Sequence, residues 1–263
     1  MNILNFSNLN LNTMKICFIP VILLYLLTPL AAQSDISRPI GYAAYLRSVS
    51  LSGETDKNGT CVLLFNTSGS LFIHSEVVRP DSTYSDPEYV FPVTIRGDKQ
   101  GFPVYKSHKD NTILYKTPCR QSPSDNCIVK DTLGSIDWAL QPGEHKRFGT
   151  YTCEKAVGTF RGRTYEVWYA PDIPVPSGPF KLGGLPGLIL EAKSTDGKVQ
   201  FLFKELVLSK NINSSIVPPE GFATGLDYGT FREEKEAFDK NLIKSSQAQG
   251  IQLRISSLEM IEQ

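Results

Sequence analysis

Thr164-Tyr165-Glu166-Val167-Trp168-Tyr169-Ala170 is the stretch from which the fold is read. In an extended chain Tyr165, Val167 and Tyr169 fall on one face and Glu166 and Trp168 on the other, the period-two pattern of a strand with one face in a core. Outward from it, β-prone runs predict strands at 136–140, 147–156, 188–192 and 199–209. An earlier series is expected at 40–51, 60–66, 71–78, 89–95, 102–107 and 112–116. Clusters of Gly, Asn, Asp, Ser and Pro separate these runs, and short strands at such spacing predict an antiparallel sheet. Helix signals are confined to the C-terminus. There Thr230 and Glu233 have capping-box spacing, and Phe231, Phe238 and Leu242 form a stripe among charges as far as Ser246. The fold class is therefore mainly β with one C-terminal α-helix, which either packs on the sheet or covers it.

Between the strands at 164–170 and 188–192 lies the longest stretch that has to be a shaped loop, residues 171–187. Pro171, Pro174, Pro176, Pro179 and Pro186 stiffen its path, while Gly183, Gly184 and Gly187 allow positive φ or close backbone approach. Ordering such a loop requires packed side chains, and Trp168, Tyr169, Phe180, Leu182 and Leu185 are available for it. Two readings stand: a crossover whose aromatics close one end of the sheet, or a rigid rim, with Arg161, Arg163 and Asp172, around a pocket or partner surface.

From Met14 the chain reads Met-Lys-Ile-Cys-Phe-Ile-Pro-Val-Ile-Leu-Leu-Tyr-Leu-Leu-Thr-Pro-Leu-Ala-Ala-Gln, a positive start, an apolar core and small residues before a cleavage point. Residues 1–32 are expected to be a signal peptide, cut after Ala32, with Met14 as the true start. The apolar run is shorter than the ~20 residues a spanning helix needs, and Pro20 and Pro29 interrupt it. Residues 33–263 are then one exported β domain without a transmembrane segment, placed in the periplasm or outside the cell. Removing Cys17 with the leader leaves Cys61, Cys119, Cys127 and Cys153. A local Cys119–Cys127 bridge across a turn-rich loop is expected, and then a Cys61–Cys153 bridge between distant strands.

The chemistry the sequence excludes is broad. Lys plus Arg balance Asp plus Glu at 27 each, and no basic block runs along the chain, which argues against nucleic acid. The hydrolase elbow, the phosphate loop, the dinucleotide glycine fingerprint and the zinc-protease motif are all missing. His74, His108 and His145 are scattered, no cysteine pair has zinc spacing, and no cofactor or metal is expected. Glu166, Asp172 and Glu191 are the available carboxylates for paired acid–base work.

The run Gly184-Leu185-Pro186-Gly187-Leu188-Ile189 resembles the signature of the GLPGLI family of exported Bacteroidetes proteins. The same family is matched by Ile136-Asp137-Trp138-Ala139-Leu140, Tyr151-Thr152-Cys153-Glu154-Lys155-Ala156, Phe160-Arg161-Gly162-Arg163, Trp168-Tyr169 and Asp172-Ile173-Pro174 before Gly178-Pro179. The resemblance is strong from Ile136 to Glu191 and only an outline before that. It implies a bacterial periplasmic or secreted setting and carries over no catalytic residues. By fold analogy alone, the architecture of many strands and one helix suggests a curved antiparallel sheet or open half-barrel around an apolar cavity, with the helix as cover.

Three functions remain open at this point. The first is a non-enzymatic envelope module holding an apolar ligand, lipid or peptide, or meeting an envelope protein, with Arg161, Arg163, Trp168, Tyr169, Asp172, Phe180 and Leu185 at the mouth. The second is a hydrolase-like enzyme assembled from Arg161, Arg163, Glu166, Asp172 and a histidine. The third is a structural envelope protein with a fully packed interior.

Overall fold

The computed structural model describes residues 38–50, 59–74, 78–80, 93–95, 102–118, 126–209, 211–212, 214–218, 220–221 and 225–248. The expected signal peptide, residues 1–32, lies outside the described residues. The strands are β1 (Gly41–Val49), β2 (Gly59–Phe65), β3 (Gly69–His74), β4 (Val78–Pro80), β5 (Val93–Ile95), β6 (Phe102–Ser107), β7 (Thr112–Pro118), β8 (Asn126–Thr132), β9 (Ala139–Phe148), β10 (Tyr151–Phe160), β11 (Arg163–Ala170), β12 (Leu188–Ser194), β13 (Val199–Leu208) and β14 (Leu226–Asp227). One helix, α1 (Tyr228–Ala248), follows.

Twelve strands form one sheet in the order β14-β8-β7-β6-β3-β2-β1-β13-β12-β11-β10-β9, and β4 pairs with β5 separately. Every junction in the large sheet is antiparallel except the two-residue parallel contact of β14 with β8. The first described strand, β1, lies in mid-sheet, and the strands of the large sheet that follow it are laid outward to β8. The chain then crosses to the far edge and returns through β9–β13 to pair with β1 again.

That crossing dictates the shape. In a flat sheet β8 and β9 would lie ten strand spacings apart, about 48 Å at ~4.8 Å each. The six residues 133–138 that join them reach only ~25 Å. The sheet must therefore curl into a trough whose two edges face each other. It stays open: among the described residues β9 pairs only with β10, and β8 only with β7 and β14.

Alternation was a sound guide to most strands. Tyr165, Val167 and Tyr169 are 3%, 0% and 1% exposed, whereas Glu166 is exposed. The differences have local causes. The expected strand at 147–156 is a hairpin, because Gly149 at φ 59 turns the chain between Phe148 and Tyr151. The run at 136–140 becomes strand only from Ala139, residues 136–138 belonging to the crossing. Of 89–95, Val93–Ile95 forms β5, and the remainder lies outside the described residues. Strand β8 had not been anticipated. The helix begins at Tyr228 rather than Thr230, because the Asp227 carboxylate accepts the Gly229 N–H at 2.8 Å and caps it.

The cysteines need a correction. Cys61 and Cys153 are free thiols, each 0% exposed. They sit on β2 and β10, five strand spacings apart in the sheet, whereas a bridge requires Cα atoms within ~7 Å. Burial pushes both thiols up to about 12. Cys119 lies outside the described residues.

Candidate functional site

The trough has an apolar lining, drawn from both halves of the sheet: Tyr45, Phe65, Phe72, Val104, Ile113 and Phe201 all belong to one buried cluster. The same cluster contains Ile173, Val175, Leu182 and Leu185 of the segment 171–187, at 4%, 1%, 1% and 2% exposure. The proline- and glycine-rich loop therefore lies within the trough as a plug.

Part of its backbone is bonded within the segment, and the Leu188 and Ile189 N–H groups of β12 reach the Ile173 and Ser177 carbonyls. Val175 donates to Ile173 and Ser177 to Val175, both at 2.7 Å; Leu182 donates to Pro179 and Gly184 to Pro176, both at 3.1 Å. Ser177 and Gly183 form an isolated antiparallel bridge inside the segment. Such internal closure is what allows irregular backbone to be buried without orphaned polar groups. The segment also begins and ends at one point, since a Cβ on Gly187 would lie 2.3 Å from the Ala170 carbonyl oxygen. Only glycine fits that neck.

The Gly-Leu-Pro-Gly-Leu-Ile run can now be read residue by residue. Gly184 takes φ +88, a left-handed turn that glycine adopts without steric cost. Leu185 is in the core and Pro186 faces out. Gly187 makes the neck, and Leu188 and Ile189 return to the core as the start of β12. The Ile189 carbonyl accepts the buried Tyr45 hydroxyl at 2.8 Å. Leu185, Gly187, Leu188 and Ile189 serve packing, and Gly184 serves the turn.

Three sheet and crossing residues hold the plug. Lys106 of β6, fully buried, donates to the carbonyls of Gly178 and Leu182 at 2.8 and 2.7 Å. Burial lowers its ammonium pKa from 10.5 to about 7. A neutral amine still carries two N–H donors, enough for those two carbonyls. Ser70 of β3 meets Ser177 at 2.7 Å. Trp138, on the crossing, donates its indole N–H to the Gly183 carbonyl at 2.9 Å and lies against Gly158, where a Cβ would come within 2.6 Å of its ring.

A charged cluster sits where the two sheet edges meet. The buried Asp131 carboxylate of β8 pairs with Arg161, in the β10–β11 turn, and lies 3.8 Å from Lys181 of the plug. Aromatic rings flank both cations. The Lys181 ammonium is 3.5 Å from the Tyr115 ring centre, and the Arg161 guanidinium is 3.7 Å from that of Tyr228, at the start of α1. Arg161 at φ 48 and Phe180 at φ 53 are left-handed without being glycine, so this corner holds backbone strain as well.

The other residues singled out in the sequence lie in different places. Arg163 is buried and pairs with Asp196, fixing the β12–β13 turn. Tyr169 donates to Glu154 at 2.6 Å. Trp168 lies on the opposite face of β11, across from Glu191, with the Lys146 ammonium 5.8 Å from its ring centre. Glu191 itself is held by Lys146 at 2.8 Å and Lys193 at 3.2 Å. Glu166 pairs with Lys155 at 3.5 Å, and Asp172 is exposed.

The histidines do not share a site. His74 stacks on Phe102 with its pKa lowered by burial to about 4, His108 is half-buried, and His145 is exposed on β9. Among the described residues no His, Cys, Asp or Glu group has a metal-binding arrangement. A cleft of about 370 Å³ lies away from the plug, lined by Lys116, Asn126, Ile128, Glu220 and Leu226 among others.

Sequence reading missed Lys106, Asp131, Trp138 and Lys181 as the plug's polar anchors. A signal existed for two of them. Lys106 shares a strand face with Val104, and Asp131 shares one with Val129, so alternation alone places a charge among core residues.

Comparison with known proteins adds a short match. A family described as "Protein of unknown function (Porph_ging)" matches residues 159–191, which run from the end of β10 through β11 and the plug to Glu191. No curated protein matches the chain. Two solved structures of PNGF-II, in the C2 and P21 space groups, are similar at 16% and 19% identity with TM-scores of 0.44 and 0.45. Each similarity covers 74% of this chain and 32% of the PNGF-II chain, so the chain spans about a third of that protein's length.

Proposed function

We propose that this protein is an exported, non-enzymatic module of the bacterial cell envelope, of the GLPGLI type, that binds an apolar ligand in the trough of its curled sheet. The observation that carries this reading is that the trough is lined with aliphatic and aromatic side chains and already holds a compact occupant, residues 171–187, whose Ile173, Val175, Leu182 and Leu185 side chains fill it. That occupant packs through side chains, through hydrogen bonds from Lys106, Ser70 and Trp138, and through the Leu188 and Ile189 N–H groups at the start of β12, so a lipid tail or an apolar peptide can replace it without separating neighbouring strands of the sheet.

The charged residues support a non-enzymatic role. Arg161, Arg163 and Glu166, candidates for a hydrolytic centre, are each committed to a different ion pair, with Asp131, Asp196 and Lys155 respectively. The export setting rests on the leader sequence, and it includes the Cys119–Cys127 bridge, supported by the disulfide-bonded state of Cys127.

Native mass spectrometry of protein purified from the envelope fraction, without detergent exchange, tests the reading. A bound lipid or apolar peptide at defined stoichiometry is the expected result. A consistently empty protein that also fails to take up added fatty acid or apolar peptide would favour a structural role, to which the filled trough also lends itself.

A further inference from the structure

We propose that the apolar ligand of the trough carries an anionic head, a carboxylate or a phosphate, and that Arg47 holds it, with His74 beside it. This rests on the binding role above, and adds the chemical class of the ligand and the end of the trough at which its polar group sits.

Register places both side chains. In β1, Ala43, Tyr45 and Val49 belong to the buried cluster of the trough, whereas Tyr42 and Ala44 belong to a second cluster on the opposite face. Alternation therefore turns Arg47, between Tyr45 and Val49, toward the trough. Its cross-strand neighbours are Gly59 of β2, which offers no side chain, and Phe201 of β13. His74 of β3 stands opposite Cys61, another member of that cluster, and shares its face with Phe72.

Neither polar group is matched by the protein. Among the described residues the Arg47 guanidinium has no ion pair or hydrogen bond, and the His74 ring nitrogens have no hydrogen bond. Both side chains are part-buried. The pKa of His74 is lowered to about 4, mainly by burial and then by the charge of Arg47, which also bears on the Cys61 thiol. The cation thus faces a neutral imidazole and a neutral thiol on a largely apolar wall, where a partly desolvated charge without a counterion is costly. An anionic head supplies that counterion. The guanidinium offers paired N–H donors to two of its oxygens, and the imidazole offers one more.

The wall leading away from this point suits a hydrocarbon chain. His74 stacks on Phe102 with ring centres 5.4 Å apart and lies 6.1 Å from Phe72. Phe72 in turn meets Phe201 at 5.9 Å and Tyr45 at 6.5 Å. The plug is anchored further along: Ser70, which meets Ser177 and pairs in register with Lys106, precedes His74 on β3 by about 13 Å at ~3.3 Å per residue. The head site therefore lies beyond the Ser70 and Lys106 anchors, and the tail runs toward them.

Titration calorimetry of the full chain with decanoate, decanol and decyl phosphate, each below its micelle concentration, tests the proposal. The expected result is that decanoate or decyl phosphate binds about tenfold tighter than decanol, the tighter of the two naming the head. Arg47→Met should abolish that preference and leave decanol affinity unchanged. Equal affinity for all three in wild type, or a preference that survives Arg47→Met, would overturn the anchor and leave the trough reading intact. Binding of none of the three by folded wild-type protein would sink the trough reading, and the anchor with it. If Arg47→Met does not fold, Arg47→Gln takes its place with the same loss required, and the comparison of acid with alcohol in wild type needs no variant.

Discussion

Residues 171–187 contain five prolines and four glycines and form neither helix nor ladder strand, yet they supply Ile173, Val175, Leu182 and Leu185 to the core. The helix α1 is 21 residues of regular structure, yet it reaches the core mainly through Tyr228 and Phe231 near its start, and Leu242 is 39% exposed. The contrast separates two properties usually taken together. Regularity reflects local hydrogen bonding, whereas contribution to stability reflects how much apolar surface an element removes from water. In this molecule the irregular segment stabilises the fold and the regular one lies at its margin.

Truncating the plug should cost most. Leu185→Ala is expected to lose ~2–5 kcal/mol in denaturant unfolding, the range for a buried leucine whose site cannot collapse. A loss below ~1 kcal/mol would mean that the plug packs loosely. Gly187→Ala should lose ~1–3 kcal/mol, because the added methyl meets the Ala170 carbonyl at the neck.

Lys106 gives the comparison a pH dependence. Its pKa is lowered from 10.5 to about 7 in the folded chain. Between these values the unfolded chain holds a proton that the folded chain has released, so this group makes stability rise with pH, by up to about 1.4 kcal/mol per unit. The contribution stays at its lowest below pH 7 and levels off above 10.5. Measured from pH 7 to 8.5, where any contribution of the buried thiols is common to the two proteins, wild type should gain stability relative to Lys106→Met. Parallel curves for the two proteins would show that Lys106 is not held in a desolvated site.

The helix should show the smallest effects. Asp227→Ala removes the cap and should cost ~1 kcal/mol, seen as lost helical signal before the sheet unfolds. Leu242→Ala should change stability by less than ~0.5 kcal/mol. A larger loss from Leu242→Ala would place the helix in the core and weaken the contrast.

Most strands were legible because one side of the sheet is buried, which imposes a period of two on sequences such as 164–170. The plug's location was not. Prolines and glycines mark turns, and turns usually lie on the surface; nothing local in Pro174-Val175-Pro176-Ser177 distinguishes a surface loop from one lying in a trough. The hairpin at Gly149-Thr150 was read as continuous strand because its two-residue turn interrupts the apolar pattern so little. Strand β8 was hidden by the polar Asn126, Lys130 and Asp131 around its few core positions. Of the site residues, Arg161, Phe180 and Leu185 were visible as members of one loop region. One partner of Arg161 is Asp131, thirty residues away, and a pairing over that separation is set by the crossing of the chain from one sheet edge to the other.

The most direct test of the account is native-state hydrogen exchange on the wild-type protein at the amides of Ser177, Leu182 and Gly184, all hydrogen-bonded within the plug. They should be protected to nearly the same degree as β12 and far more than the C-terminal half of α1. Exchange of these amides as fast as that of the exposed helix turns would contradict the plug as a core element.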